Sequence, residues 1–308
     1  MARLDKEQLP VASRPRTFVF FDFLRMIRFS HTLFALPFAL SATLLIAVRH
    51  RTEISVTPLS VLWIVVAFTG MRSFAMAANR LLDRHFDALN PRTRSREIPA
   101  GLLSVRAVMF FAFVALVTTV VAGYLLAPIA GILALPAALI VAGYSLAKRF
   151  TSLCHFWLGA AIGMAPPAVY IALLQRVPVE AFLMQGILTF YIAGFDILYA
   201  LQDIEFDRAH GLHSVPARFG AARAMYIARA SHLIAAALSA ALIIYLQFSA
   251  VTWLCFALLV ALFSAEHYLV GPAQQPRYDK IPVAFFHVNS AFSLTFLATV
   301  AAGVFTTA

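Results

Sequence analysis

Nine apolar runs divide the chain, at 32–48, 58–78, 105–126, 129–147, 153–174, 182–200, 226–246, 251–270 and 284–305. A helix needs about 20 such residues to cross the hydrocarbon of a bilayer. In that medium every backbone N–H and C=O must find its partner within the helix. The sequence therefore predicts an all-α membrane protein of nine transmembrane helices. Pro37, Gly123, Pro136, Pro166 and Pro167 fall inside these runs, which membrane helices tolerate. Charged residues make up 12% of the 308, about half the share of a soluble domain. That is too little charge to cover a soluble surface of this size. Cys154 and Cys255 lie in apolar runs, with neither the paired spacing of a zinc site nor a disulfide framework.

Twenty of the 24 Lys and Arg residues fall in 1–28, 79–106, 148–149, 201–229 and 271–283, which alternate topology places on one side. Arg49, Arg51 and Arg176 fall on the other side, and Arg72 lies inside a run. The positive-inside rule puts the basic side and the N-terminus in the cytoplasm. Residues 1–28 are charged and lack the short apolar core and cleavage site of a signal peptide. They read as a cytoplasmic segment with an interfacial helix, and 29–308 as a single membrane domain. Topology and attraction to anionic lipid explain the net charge of +10 without nucleic acid.

Only 14 acids are present, so their placement is informative. Asn79, Asp83 and Asp87 recur every four residues at the end of the second run. At about 100° per residue, they occupy a stripe of about 80° on one helix face. Asp203 and Asp207 repeat the spacing at the end of the sixth run, whereas Glu205 points about 200° away from Asp203. Carboxylates one turn apart repel and are costly near a membrane. A capping or solvated carboxylate explains one such pair. Two pairs at matching spans, without a His or Cys cluster, point to a hard cation with oxygen ligands, Mg²⁺.

Arg72 and Asp196 each lie seven residues before a motif, on the motif's face and about two turns deeper. They imply a polar cavity between the second and sixth spans, with a simple Arg72–Asp196 ion pair as the alternative. Arg92, Arg94 and Arg96 follow the first motif, Arg208, His210 and His213 follow the second, and Lys148 and Arg149 close the fourth run. Metal together with Arg and Lys at one mouth is suited to a diphosphate. The two motif spans are four apart and each precedes a loop with Pro and Gly, the pattern of a duplicated four-helix unit.

Asn79-Arg-Leu-Leu-Asp83-Arg-His-Phe-Asp87 resembles the N-x-x-x-D-x-x-x-D motif of the UbiA superfamily of intramembrane aromatic prenyltransferases. Tyr199-Ala-Leu-Gln-Asp203-Ile-Glu-Phe-Asp207 resembles that family's D-x-x-x-D. Nine spans with motifs after the second and sixth match its architecture, from about residue 23 onward. Arg25-Met-Ile-Arg28 resembles the first-helix entry of bacterial hydroxybenzoate prenyltransferases. Ser30, His31 and Thr32 stand where that group often has Asp-Lys-Pro, and His213 stands where it often has Lys. The runs 96–101 and 210–220 look more like a UbiA-like subgroup, some of whose members are assigned to menaquinone synthesis with a dihydroxynaphthoate acceptor.

The resemblance implies a UbiA-type bundle around a central cavity open to the cytoplasmic face of a bacterial inner membrane. It implies Mg²⁺-dependent transfer of a polyprenyl group from its diphosphate to an aromatic acid, 4-hydroxybenzoate or a dihydroxynaphthoate, in ubiquinone or menaquinone synthesis. Asn79, Asp83, Asp87, Asp203 and Asp207 would hold the metal. Arg72, Arg92, Lys148 and Arg149 would neutralise the leaving diphosphate. Asp196 would orient the acceptor phenol or stabilise an allylic cation, Tyr144 and Tyr199 would face that cation, and Arg28 would meet the acceptor carboxylate. Three other readings stay open: a secondary transporter using Arg72 and Asp196, a CDP-alcohol-type transferase, and a prenyltransferase with another acceptor. The transporter is disfavoured by acids gathered at one face, and the CDP-alcohol class by the lack of D-x-x-D-G-x-x-A-R.

Overall fold

The computed structural model describes residues 16–27 and 35–306, the side chains of 16–20 excepted, and these contain helices and no strand. In chain order the helices are α1 Arg16–Met26, α2 Leu36–Arg49, α3 Pro58–Leu89, α4 Val105–Leu126, α5 Pro128–Ala147, α6 Cys154–Gly163 and α7 Ala165–Leu174. There follow α8 Val179–Ala200, α9 Ile204–Ala209, α10 Val215–Phe219, α11 Ala221–Tyr245, α12 Ala250–Val270, α13 Ile281–Val283 and α14 Asn289–Thr306. Starts are set by local chemistry. The Thr57 hydroxyl accepts from the Ser60 N–H at 3.1 Å ahead of Pro58, and Ser104 caps α4 in the same way through Ala107.

Eight stretches among the described residues are long and apolar enough to cross a membrane, one fewer than the nine expected. The difference lies at the first run. There α2 has 14 residues, about 21 Å of helix against a hydrocarbon core of about 30 Å. Pro37 sits in its first turn, where a residue without an N–H starts a helix more readily than it continues one. Short as it is, α2 buries Phe38, Ala39, Ala42, Leu45 and Ile46 in the main core. Pro136 leaves α5 unbroken. Pro166 and Pro167 instead divide the span Cys154–Leu174 into α6 and α7 at Met164.

The two longest spans are Pro58–Leu89, of 32 residues, and Val179–Ala209, of 31. They carry the two acidic motifs at the same end of the bundle. A span of about 20 residues suffices to cross, so the last turns of each project beyond it and place the carboxylates at the rim. The sixth span is not one α-helix, because a 3₁₀ turn at Leu201–Asp203 separates α8 from α9.

The central helix, α8, packs on α6 and α11. Its contact with α6 needs glycine. A Cβ on Gly159 would stand 2.2 Å from the Thr189 carbonyl oxygen, and one on Gly163 would stand 2.9 Å from that of Gln185. This pair, four residues apart, brings the two backbones together as small residues do in membrane helix pairs. It also brings the start of α6 against the end of α8, where the site lies. Elsewhere α1 packs Phe23, Met26 and Ile27 against Ala77, Leu103 and Val108.

Candidate active site

The motif residues meet around a cavity of about 240 Å³ at the rim of the bundle, walled by α3, α5, α6, α8 and α9. Asn79, Asp83 and Asp87 enter from α3, Tyr144 from α5 and Lys148 from that helix's C-cap, and Asp196, Tyr199, Asp203 and Asp207 from the sixth span. The 3₁₀ turn does not separate Asp203 from Asp207: both are buried and both line the cavity. Glu205 is exposed, as its helical angle requires.

Each carboxylate meets a cation from another part of the chain. Arg92, in the loop after the first motif, forks onto Asp203 of the second, with Nε 2.9 Å from Oδ1 and Nη2 on Oδ2. Asn90 adds a bond to the same Oδ1 at 3.0 Å. Lys148 Nζ lies 2.8 Å from Asp207 Oδ1, and the Ser214 hydroxyl donates to Oδ2. Arg96 donates to Asp87 at 2.6 Å. Arg149 stands 3.7 Å from Asp83 and donates to the Leu82 carbonyl at 2.6 Å. Burial works against the charge on Arg92. Its bond to Asp203 and that carboxylate's negative charge outweigh this and raise the Arg92 pKa above the ordinary arginine value.

The deeper polar residues are arranged differently from the expectation. Asp196 lines the cavity but does not pair with Arg72. Its Oδ2 lies 2.6 Å from Nδ1 of His155 on α6. Arg72 is absent from the cavity wall, and its buried Nε has no hydrogen-bond partner. A common offset of seven residues fixes the face of each helix. It does not fix which neighbour arrives there, and the Gly159–Gly163 contact brings α6 to that place. Arg28 lies outside the described residues. Tyr144 lines the wall. Tyr199 donates its ring to Arg92, whose guanidinium carbon sits 5.2 Å over the centroid, and Arg92 Nη1 donates to its hydroxyl at 3.1 Å.

Of the basic run after the first motif, Arg92 and Arg96 reach the cavity and Arg94 is exposed. After the second motif, Arg208 donates to the Ala217 carbonyl and His210 stacks on Phe206, so neither joins the wall. Sequence reasoning missed Asn90, Ser145, His155 and Ser214. Asn90 follows Asp87 by three residues and was within reach of a helix-face argument. A lone His or Ser in an apolar run carries no such signal.

The donor set suits a divalent cation. Four motif carboxylates surround one cavity, and Asp87 Oδ2 is buried without a hydrogen-bond donor. Among the described residues no group of three or more His, Cys, Asp or Glu forms a metal cage by itself. An ion held here would therefore need further oxygens from phosphate and water. Asn79 offers Asp83 its amide N–H at 2.8 Å, and its oxygen accepts from Arg80. That oxygen reaches an ion only by turning away from Arg80.

Comparison with known proteins agrees with this architecture. The UbiA prenyltransferase family matches residues 35–291. A 4-hydroxybenzoate octaprenyltransferase of Methylobacillus flagellatus is 31% identical over 161 residues, 52% of this chain and 54% of that protein. The chain thus spans about half the length of the curated relatives it matches. The apo structure of a UbiA homolog from Aeropyrum pernix superposes with a TM-score of 0.77 at 27% identity, covering 88% of this chain and 97% of the other. A UbiA homolog from Archaeoglobus fulgidus bound to GPP and Mg²⁺ shares the fold, with a TM-score of 0.67 at 19% identity over 91% and 99% of the two chains. With eight spans, a match over most of its length and both acidic motifs at one cavity, this chain is a multi-pass membrane protein of the UbiA prenyltransferase family.

Proposed function

We propose that the protein transfers a polyprenyl group from polyprenyl diphosphate to an aromatic acid, with Mg²⁺ as cofactor. One observation carries this reading: four motif carboxylates and the cations Arg92, Arg96, Lys148 and Arg149 surround a single cavity at the rim of a membrane bundle. A diphosphate needs both sets. Asp83, Asp87, Asp203 and Asp207, with Asn79 once its amide turns, would hold the metal. The four cations, which meet those carboxylates in the structure, would turn to phosphate oxygens and oppose the charge that grows on them as the C–O bond breaks. Bound Mg²⁺ supplies further charge neutralisation to the leaving group.

The electron pair of the breaking bond stays with the diphosphate, and the prenyl carbon becomes an allylic cation. The Tyr144 ring stabilises it from the cavity wall. Tyr199 contributes by fixing Arg92, because its ring contacts that guanidinium and is itself packed against Phe285, whose centroid is 4.4 Å away. Asp196 orients the acceptor hydroxyl deeper in the cavity, the ring carbon attacks the cation, and a base takes the ring proton. Arg28 would pair with the acceptor carboxylate, and Arg72, which is not in the cavity wall, would add positive potential. The acceptor is 4-hydroxybenzoate or a dihydroxynaphthoate, and the relatives named as 4-hydroxybenzoate octaprenyltransferases favour the former. The isoprenoid tail stays within the bilayer. The basic rim faces the cytoplasm of a bacterial inner membrane in this reading, and the one-sided distribution of Lys and Arg supports that orientation.

The test is incubation of membranes with Mg²⁺, a radiolabelled polyprenyl diphosphate and either 4-hydroxybenzoate or 1,4-dihydroxy-6-naphthoate. An EDTA-sensitive prenylated product establishes the reaction, and the acceptor used assigns the quinone. No product from either acceptor, in protein shown to be folded, contradicts it.

A further inference from the structure

His155 belongs to neither acidic motif, yet it touches both the deep end of the cavity and the loop behind the second motif. It is the second residue of α6, is 3% exposed and lines the cavity. Its Nδ1 lies 2.6 Å from Asp196 Oδ2. Its Nε2 accepts the backbone N–H of Val215 at 3.2 Å. With Nε2 turned to the Val215 N–H, Nδ1 is the nitrogen that donates to Asp196. Val215 follows Ser214, which donates to Asp207. One rigid ring thus ties α6 to α8 on one side and to the loop supporting Asp207 on the other.

We infer that His155 is the positioning residue of the acceptor half of the site, holding Asp196 so that one carboxylate oxygen meets the hydroxyl of an aromatic acceptor. This inference rests on the prenyl-transfer reading. His155 occupies Oδ2, which leaves Oδ1 for the cavity. A carboxylate only accepts hydrogen bonds, so the group it meets must be a donor. A free hydroxyl qualifies, and the same ring with a methyl ether does not. A buried acceptor left without its donor is costly, and sites built around a substrate hydroxyl strongly reject analogues that lack it. The ring also explains why the residue is histidine. Only a group with a donor at one end and an acceptor at the other spans both partners.

Two substitutions separate the two bonds. His155→Asn keeps an N–H near the Nδ1 position and loses the acceptor for Val215. His155→Gln reaches the Nε2 position, where its oxygen accepts from Val215, and loses the bond to Asp196. With the wild type active, His155→Gln is expected to raise the acceptor KM by about tenfold, the worth of one hydrogen bond to a charged group. The diphosphate KM stays within about twofold, and His155→Asn keeps an acceptor KM nearer the wild type. The wild type turns over the hydroxy acid and rejects its 4-methoxy analogue. The inference is overturned if His155→Gln leaves the acceptor KM unchanged, if it raises both KM values together, or if the methoxy analogue is used equally well. Should neither variant fold, Asp196→Asn is read in the same way, and an unselective effect on the two KM values overturns the inference. A wild type inactive with every acceptor overturns prenyl transfer itself and this inference with it, an outcome distinct from an active wild type with indifferent variants.

Discussion

The two acidic motifs share a spacing but not a state. Asp83 of the first is 26% exposed and has its nearest cation, Arg149, at 3.7 Å, whereas Asp207 of the second is wholly buried with Lys148 at 2.8 Å and Ser214 on its other oxygen. The first motif sits on an unbroken helix. The second is interrupted by a 3₁₀ turn, and the Asp203 carboxylate is gripped by a guanidinium from the first motif's own loop. The second motif is thus built into the protein's structure, while Asp83 is more free to rearrange around a ligand. The proposed equal roles in metal binding would coexist with unequal roles in stability.

The largest effect expected does not distinguish the motifs. Asp83→Asn and Asp203→Asn should each lower prenyl transfer by roughly a hundredfold or more, measured as product per unit of correctly inserted protein. Wild-type turnover in either would break the metal assignment. The next separates them. Asp207→Ala leaves Lys148 and Ser214 facing a buried gap and should cost about 2–3 kcal/mol in thermal unfolding in detergent, since Lys148 keeps part of its solvation. Asp83→Ala should cost less than about 1 kcal/mol. Equal losses would show that the two motifs are held alike.

Arg92→Lys tests the link between the motifs. Lysine lacks the fork that grips both oxygens of Asp203 and the plane that covers Tyr199, so kcat should fall about tenfold with stability little changed. The smallest effect lies at the other end of the bundle. There Arg176 meets Glu53 at 2.8 Å with both side chains half exposed, and Arg176→Gln should change stability by less than about 0.5 kcal/mol and leave transfer intact.

The motif carboxylates were legible because acids are rare in this chain and recur every fourth residue at the ends of two matching spans. The basic residues were legible as a group, but their partners were not. That Arg92 serves the opposite motif depends on how two distant loops meet in space. The expectation that Arg72 lines the cavity together with Asp196 failed for a related reason: helical phase gives a face, and the neighbour on that face is set by helix packing. His155 was invisible because a lone histidine in an apolar run reads as core. What brings it to Asp196 is the close α6–α8 contact at Gly159 and Gly163. The short α2 was hidden as well, since apolar composition does not show where Pro37 begins the helix.

The central claim is that both motifs serve one diphosphate through a divalent cation. Calorimetric titration of the purified protein with a non-hydrolysable prenyl diphosphate, with and without Mg²⁺, tests it most directly. Tight binding that needs Mg²⁺ and weakens by at least about tenfold in both Asp83→Asn and Asp203→Asn is the predicted result. Binding of equal strength in EDTA, or loss of binding in only one of the two variants, would contradict it.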